Sequence, residues 1–137
     1  METTEYPQLS LAVLRIIIIE DEVMLALCLG EVIEDEGCVV VGTAGTLKAA
    51  NALAATGAYD IAIVDLHLHG KPANDVAATI IRSGHAIVIS TGSDSTGVPV
   101  EFQQWPVLRK PFANAAIFAV LKCAAEIRSF TLVRGGV

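Results

Sequence analysis

The sequence has little positive charge and no basic run. It carries 9 Lys and Arg residues against 15 Asp and Glu residues, which gives a formal net charge of −6 at pH 7. A nucleic-acid-binding surface needs a basic stripe or an arginine-rich arm, and the sequence has neither. The charge distribution therefore argues against direct nucleic-acid binding.

The sequence also lacks a long hydrophobic run. The apolar stretch from Leu9 to Ile19 is short, is interrupted by Arg15, and follows the acidic start METTE. A membrane-spanning helix needs about 20 apolar residues, and a secretory signal starts with positive charge. Because neither condition is met, we expect a cytoplasmic protein with no membrane contact.

Cysteine is scarce as well. The spacing of Cys28, Cys38 and Cys123 is not that of a metal site, and their odd number fits reduced thiols in the cytosol. Free cysteine often behaves as a small apolar residue. We therefore expect all three to be ordinary core residues.

Apolar residues, in contrast, make up 53% of the 137 residues. This content suits a parallel sheet that is buried on both faces, because the strands of such a sheet are nearly continuous runs of valine, isoleucine and leucine. Strands are predicted at 15–19, 38–42, 59–65, 85–90 and 107–109.

Helical patterns alternate with these strands. Helices are predicted at 22–36, 46–56, 74–82 and 114–129, the second of them capped by Thr46. Val23, Leu27 and Val32 are predicted to be among the core-facing residues of the first helix. The alternation predicts βαβ units and one parallel sheet.

The segment between the fourth and fifth strands has no helical pattern. Residues 92–106 contain two glycines and two prolines, which disfavour a helix. We expect mostly loop there, and a mobile or functional role, because a parallel crossover without a full helix is unusual. Trp105 in this segment is interpreted either as a partner anchor or as a lid over the core.

Polar side chains follow several strands at one edge of the predicted sheet. Glu20 and Asp21 follow the first strand, and Asp65 ends the third. Thr91 and Lys110 follow the fourth and fifth strands. Ligands of open parallel sheets bind at this edge, and crowded carboxylates repel one another unless a cation joins them. The pattern therefore predicts a Mg²⁺ site with a lysine and a hydroxyl beside it.

Other residues have alternative interpretations. The acids after the first strand are also favoured by a helix dipole, and Glu22 is assigned to that role alone. Asp60 is predicted to be a surface residue at a strand start. His67 and His69 form an H-x-H pair, as in metal-dependent hydrolases, but His85 is predicted at the opposite end of the sheet.

The segments IIIIEDE, IAIVDLHLHG, IVISTG and VLRKPF, in this order and spacing, resemble the receiver domain of stand-alone bacterial two-component response regulators. The resemblance implies an α/β, flavodoxin-like (CheY-like) fold: a doubly wound five-stranded parallel sheet of order 2-1-3-4-5 with an irregular or shortened fourth helix. The resemblance covers roughly residues 15–128. We expect a receiver domain at 11–130, between a flexible leader at 1–10 and a C-terminal tail at 131–137.

The resemblance assigns the metal ligands. Asp21 and Asp65 bind Mg²⁺, Glu20 holds it largely through water, and the backbone carbonyl of His67 completes the protein ligands. Mn²⁺ is the expected substitute ion. The side chains of His67 and Ser93 flank the path of the water that removes the phosphoryl group.

The resemblance also assigns the chemistry. Asp65 is the phosphoacceptor, and Thr91 and Lys110 contact the phosphoryl group. The peptide bond before Pro111 is expected to be cis. The chain is therefore expected to act as a signalling domain rather than as an enzyme, with only self-catalysed phosphotransfer and autodephosphorylation.

The resemblance names partners as well. The phosphoryl donor is a histidine kinase, and the output is a downstream protein target or a histidine phosphotransferase, because the sequence leaves no room for an output domain. The STGS sequence and the Pro/Gly-rich loop are similar to alphaproteobacterial single-domain receivers, which implies a kinase of the HWE/HisKA2 type. Val107 replaces the usual aromatic switch residue, so signalling is expected to order residues 92–106.

Three alternatives stay open. A receiver-fold interaction module that acts without phosphorylation is consistent with the sequence. A small metal-dependent hydrolase that uses His67 and His69 is another reading. The chain is also consistent with a segment of a longer regulator.

Overall fold

A five-stranded parallel sheet forms the centre of the computed structural model, which describes residues 14–92 and 97–135. The strand order is β2-β1-β3-β4-β5, which is the predicted order of a doubly wound sheet. Neighbouring strands all pair in parallel. The strands are β1 (Arg15–Ile19), β2 (Val39–Ala44), β3 (Ile61–Asp65), β4 (Ala86–Thr91) and β5 (Val107–Arg109).

In the described part of the chain, four α-helices pack on this sheet: α1 (Val23–Asp35), α2 (Leu47–Ala55), α3 (Asn74–Arg82) and α4 (Asn114–Gly135). Thr46 caps α2 as predicted, since its hydroxyl accepts a hydrogen bond of 3.1 Å from the backbone N–H of Ala49. The last helix continues beyond Ser129, where the sequence pattern placed its end. None of the described helices is both long and apolar enough to cross a membrane.

The central strands are buried on both faces. Every side chain from Ile16 to Ile19 has 0% exposure, and β3 is buried along its whole length. Alternate side chains of a strand point to opposite faces, so helices must cover both sides of the sheet. This arrangement places the residues that follow β1 and β3 at the carboxyl edge of the sheet.

The core-facing side of α1 differs from the prediction. Leu29 and Ile33 are the buried residues of this helix, and Val32 is partly buried. Val23 and Leu27 are instead 71% and 57% exposed. The prediction failed because nearly every position in the first two-thirds of α1 is apolar, so periodicity alone did not identify the inward face.

The crossover between β4 and β5 has no full helix in its described part. A short 3-10 helix, Val100–Phe102, stands there instead. Val98, Phe102 and Trp105 are buried, and the side-chain amide of Gln103 donates to the carbonyl of Val98 at 3.1 Å. The irregular or shortened helix that was expected between the fourth and fifth strands is therefore confirmed, and Trp105 covers the core.

The cysteines only partly match the prediction. Cys38 is buried, whereas Cys28 and Cys123 are exposed. Each exposed cysteine immediately precedes an inward-facing residue of its helix, Leu29 in α1 and Ala124 in α4. A step of one residue turns the side chain by about 100° around a helix, which carries both thiols out of the core.

An ion-pair cluster joins the amino-terminal edge of the sheet to α4. Asp60 accepts hydrogen bonds from the backbone N–H of Arg15 at 2.8 Å and from the guanidinium of Arg128 at 3.2 Å. Arg128 also donates to the carbonyl of Gly84 at 2.9 Å. Burial alone would raise the pKa of Asp60, but the bonds from the two arginines outweigh it and lower the pKa. Asp60 is therefore an anchor for α4 and not the plain surface residue that was predicted.

Next to this cluster lies His85, which directly precedes β4. Its ring stacks on Tyr59 with centroids 4.2 Å apart. Burial, reinforced by the charge of Arg128, lowers the pKa of His85 below its usual 6.5. The charges of Asp60 and Arg15 also face this ring, and they act in opposite directions.

We expect the free energy of unfolding to fall as the pH drops below 6.5, the ordinary pKa of histidine. The unfolded chain then binds a proton that folded His85 does not, with a limiting slope of about 1.4 kcal/mol per pH unit. Chemical unfolding over a pH series checks this. The slope should flatten in His85→Gln, and an equal slope in both proteins would show that His85 is not its source. Asp60 adds to this slope only at lower pH. Because its pKa is depressed in the folded protein, its contribution to stability stays intact above the pKa that this aspartate has in the unfolded chain.

Candidate functional site

Three carboxylates and a lysine meet at the carboxyl edge of the sheet. Glu20 and Asp21 directly follow β1, Asp65 ends β3, and Lys110 directly follows β5. One oxygen atom from each carboxylate lies within 4.8 Å of the other two. The topology explains this meeting, because the carboxyl ends of the parallel strands share one edge. In the strand order, β1 and β3 are neighbours, and β5 lies two strands from β3, beyond β4.

Lys110 lies between two of the carboxylates. Its Nζ is 2.9 Å from Oδ2 of Asp65 and 3.0 Å from Oε1 of Glu20. Burial alone would lower the pKa of Lys110, but the bonds to Asp65 and Glu20 outweigh it and raise the pKa. The site therefore holds a permanent positive charge against these two carboxylates.

Glu20 is the most deeply buried acid of the cluster, with 4% exposure. Its Oε2 accepts a hydrogen bond of 3.1 Å from the backbone N–H of Glu22. Burial raises the pKa of Glu20 even though Glu22 and Lys110 favour its charged form. A bound cation would offset this cost. The side chain of Glu22 is exposed, in keeping with the prediction that it lies outside the site.

Asp21 is held by a residue whose role the sequence did not reveal. The backbone N–H of His69 donates to Oδ2 of Asp21 at 2.7 Å, and the Nδ1 atom of His69 lies 3.9 Å from the same oxygen. This hydrogen bond is the main reason why the pKa of Asp21 is lowered. The only feature of the sequence that drew attention to His69 was the H-x-H pair followed by Gly70.

Asp65 has both carboxylate oxygens occupied. Oδ1 accepts a hydrogen bond of 2.9 Å from the backbone N–H of His67, and Oδ2 faces Lys110. Asp65 is 8% exposed, whereas the side chain of His67 points away from the core and is exposed. His67 therefore contributes its backbone to the site.

The remaining predicted residues lie around this centre. Thr91 ends β4, and its carbonyl accepts a hydrogen bond of 2.8 Å from the backbone N–H of Lys110. The peptide bond between Lys110 and Pro111 is cis, as the resemblance implied. Ser93 lies outside the described residues.

The acidic cluster fits a hard divalent cation. Glu20, Asp21 and Asp65 offer oxygen donors, and a groove beside Glu20 and Asp21 opens the cluster toward Thr43 and Gly45. Mg²⁺ prefers such oxygen atoms and keeps several waters. Among the residues that the structure describes, this is the one group of three or more metal-ligand side chains.

The histidines do not form a hydrolase site. His67 and His69 lie at the carboxyl edge, whereas His85 precedes β4 and packs on Tyr59 near the opposite edge. A catalytic zinc site needs three protein ligands around one ion. The described part of the chain therefore offers no support for the hydrolase alternative.

Sequence comparison assigns the family. The family model of the response regulator receiver domain matches residues 16–122, a range that contains all the carboxylates of the site together with Thr91 and Lys110. No curated protein matches the chain.

Two solved structures of SdrG are similar to this chain. The solution structure of SdrG from Sphingomonas melonis Fr1 is 32% identical, covers 81% of this chain and 95% of SdrG, and has a TM-score of 0.73. The BeF3-activated conformation of SdrG from Pseudomonas melonis Fr1 is 31% identical over 85% of this chain and 98% of that one, with a TM-score of 0.72.

A third structure, the response regulator PhyR from Brucella abortus, is 23% identical and has a TM-score of 0.75. The match covers 92% of this chain but 54% of PhyR, and at this identity it shows the fold alone. The family match, the similarity to SdrG and the sheet order agree with one another. The chain therefore belongs to the response regulator receiver domain family of two-component signalling.

Proposed function

We propose that this receiver accepts a phosphoryl group on Asp65 from the phosphohistidine of a histidine kinase, in a Mg²⁺-dependent reaction. The observation that carries the proposal is the meeting of Asp65 with Glu20, Asp21 and Lys110 at one edge of the sheet. Receiver domains are signalling domains and not ordinary enzymes. The proposed chemistry is accordingly limited to self-catalysed phosphotransfer and autodephosphorylation.

The hydrogen bonds of Asp65 prepare it as a nucleophile. The backbone N–H of His67 fixes the orientation of the carboxylate. One carboxylate oxygen attacks phosphorus, the P–N bond breaks, and the imidazole of the donor keeps the electron pair and later takes a proton from water. Lys110 lies 2.9 Å from Oδ2 of Asp65, where it can neutralise charge on the phosphoryl oxygens during transfer.

Receiver domains bind Mg²⁺ in an acidic pocket, and this chain has the matching acids. Glu20, Asp21 and Asp65 would hold the ion, and the backbone carbonyl of His67 is the remaining proposed ligand. The bound ion would supply positive charge to the phosphoryl oxygens. Mn²⁺ is the proposed substitute.

The exposed start of α1 supports kinase docking beside this site. Receiver domains interact with histidine kinases and with downstream targets. Val23 and Met24 are each 71% exposed, and they lie two and three residues after Asp21 in the sequence. A phosphohistidine reaches Asp65 only if the donor protein covers this edge, so exposed apolar side chains here suit a protein contact. We assign the donor to the HWE/HisKA2 type of kinase.

Output is proposed to pass through protein contact or phosphorelay to a histidine phosphotransferase. The segment 92–106 is the proposed switch, with Thr91 at its start. In its described part, Phe102 and Trp105 are packed into the core, while Val100 is 78% exposed. Phosphorylation would order this segment and so change the surface that it presents. No aromatic side chain needs to rotate, because position 107 is a valine.

A mass measurement tests the proposed function. The protein is incubated with acetyl phosphate, or with a phosphorylated HWE/HisKA2 kinase, in Mg²⁺ and separately in EDTA. We expect the mass of one phosphoryl group to be added in Mg²⁺ only, and to be removed by hydroxylamine, which cleaves acyl phosphates. Absence of an adduct from both donors would contradict the proposal and favour an interaction module that acts without phosphorylation.

A further inference from the structure

Ser90 lies in the middle of the row of side chains that forms the site. In the sheet register it pairs with Asp65 of β3 on one side and with Leu108 of β5 on the other. Paired residues of parallel strands place their side chains on the same face, and alternate residues of one strand share a face. Lys110 continues the ladder two residues after Leu108, since its N–H donates to the carbonyl of Thr91 at 2.8 Å. Asp65, Ser90 and Lys110 therefore share one face of the sheet.

The side chain of Lys110 crosses β4 to reach Asp65. Strands β3 and β5 lie on opposite sides of β4, and yet the Nζ of Lys110 is 2.9 Å from Oδ2 of Asp65. The stem of this lysine passes close to the end of β4, because a Cβ atom at position 92 would lie 3.9 Å from Cδ of Lys110. Gly92 is two residues after Ser90. The path of the lysine from β5 to Asp65 therefore leads over Ser90 and Gly92.

The hydroxyl of Ser90 is buried and has no partner. Ser90 is 1% exposed, and its Oγ makes no hydrogen bond to any residue that the structure describes. A buried hydroxyl without a partner costs free energy that an alanine would not cost, and a partner gained in another state of the protein would explain why it is there. The ammonium of Lys110 has three N–H donors, so it can hold Glu20, Asp65 and this hydroxyl together.

We propose that Ser90 is a positioning residue for Lys110, with its hydroxyl as an acceptor for the ammonium during phosphoryl transfer. The inference rests on the proposed phosphorylation of Asp65. When one oxygen of Asp65 forms the bond to phosphorus, the negative charge that holds the ammonium passes to the phosphoryl oxygens, and the ammonium shifts with it. The hydroxyl of Ser90 then accepts the third N–H and keeps the ammonium directed at the phosphoryl group.

Two pairs of variants separate the hydroxyl from the size of the side chain. Ser90→Ala removes the hydroxyl from a small side chain, and Ser90→Val lacks the hydroxyl that Ser90→Thr keeps at nearly the same volume. The rate of adduct formation with acetyl phosphate in saturating Mg²⁺ is measured by intact mass, below the melting temperature of each protein. We expect Ser90→Ala to react about fivefold or more slowly than the wild type, and Ser90→Val to be slower than Ser90→Thr by a similar factor. Equal rates within either pair would overturn the role of the hydroxyl.

Melting temperatures in EDTA distinguish positioning from a structural role. We expect the melting temperature of Ser90→Ala to equal or exceed that of the wild type, because the substitution removes an unpartnered buried hydroxyl. A lower melting temperature would overturn the proposal, because it would show that the hydroxyl already stabilises the fold.

A double variant tests whether the hydroxyl acts through Lys110. Residues that act as a unit are not additive, so Ser90→Ala should cause no further slowing in Lys110→Met, which has no ammonium. Slowing by the same factor as in the wild type would overturn the link between Ser90 and Lys110 and leave the proposed function in place. A wild-type protein that gains no adduct would instead overturn the proposed function, and the inference with it.

Discussion

Lys110→Met is expected to slow phosphoryl transfer to Asp65 by at least about 100-fold, because it removes a fixed positive charge from the oxygens that gain charge during transfer. The charge is well placed for this role, with Nζ 2.9 Å from Asp65 and 3.0 Å from Glu20. The measurement is the rate of adduct formation with acetyl phosphate in saturating Mg²⁺. A rate within fivefold of the wild type would contradict the role of Lys110.

The same substitution is expected to change stability in a manner that depends on metal. Glu20, whose side chain is 1% exposed, and Asp65 would lose their cation, at a cost of about 2 kcal/mol in the free energy of unfolding in EDTA. Mg²⁺ should restore much of this loss. Lys110→Arg serves as the control: it keeps the charge and most of the stability, and transfer stays slow because a guanidinium has a different geometry.

Asp65→Asn is expected to abolish the adduct completely, because an amide is not the nucleophile that a carboxylate is. The comparison uses intact-mass spectra of the two proteins, each incubated with acetyl phosphate and Mg²⁺ until the wild type no longer gains adduct. An adduct that persists in Asp65→Asn would place the phosphoacceptor on another side chain, with Glu20 and Asp21 the nearest alternatives.

Loss of the adduct in Asp65→Asn should not be a consequence of unfolding. The substitution leaves Lys110 paired with Glu20 and removes one of three mutually repelling carboxylates. We therefore expect the melting temperature in EDTA to equal or exceed that of the wild type. A lower melting temperature would mean that the ion pair between Lys110 and Asp65 outweighs the repulsion.

The architecture around the site was predictable because it depends on strand ends. Ile16 to Ile19 and the third strand are long apolar runs, and such runs in alternation with helices imply a parallel sheet. The carboxyl ends of parallel strands share one edge, so the meeting of Glu20, Asp21, Asp65 and Lys110 followed from topology. The structure brings these four residues together.

Features that depend on which way a side chain turns were not predictable. On α1, apolar residues occupy nearly every position, and only packing decides that Leu29 faces the core and Leu27 faces solvent. Two further contacts join residues that are 48 or more positions apart in sequence. They are the ion pair between Asp60 and Arg128 and the hydrogen bond from His69 to Asp21. No local pattern records a partner at that distance.

The placement of the phosphoryl group on Asp65 is tested most directly by chemical trapping. Borohydride reduces an aspartyl phosphate to homoserine, so peptide sequencing by mass spectrometry after treatment with phosphodonor and borohydride identifies the modified position. We predict homoserine at position 65 alone, in samples that contained Mg²⁺ and not in samples that contained EDTA. Homoserine at another position would contradict Asp65 as the phosphoacceptor. So would the absence of homoserine from a sample in which the donor was consumed.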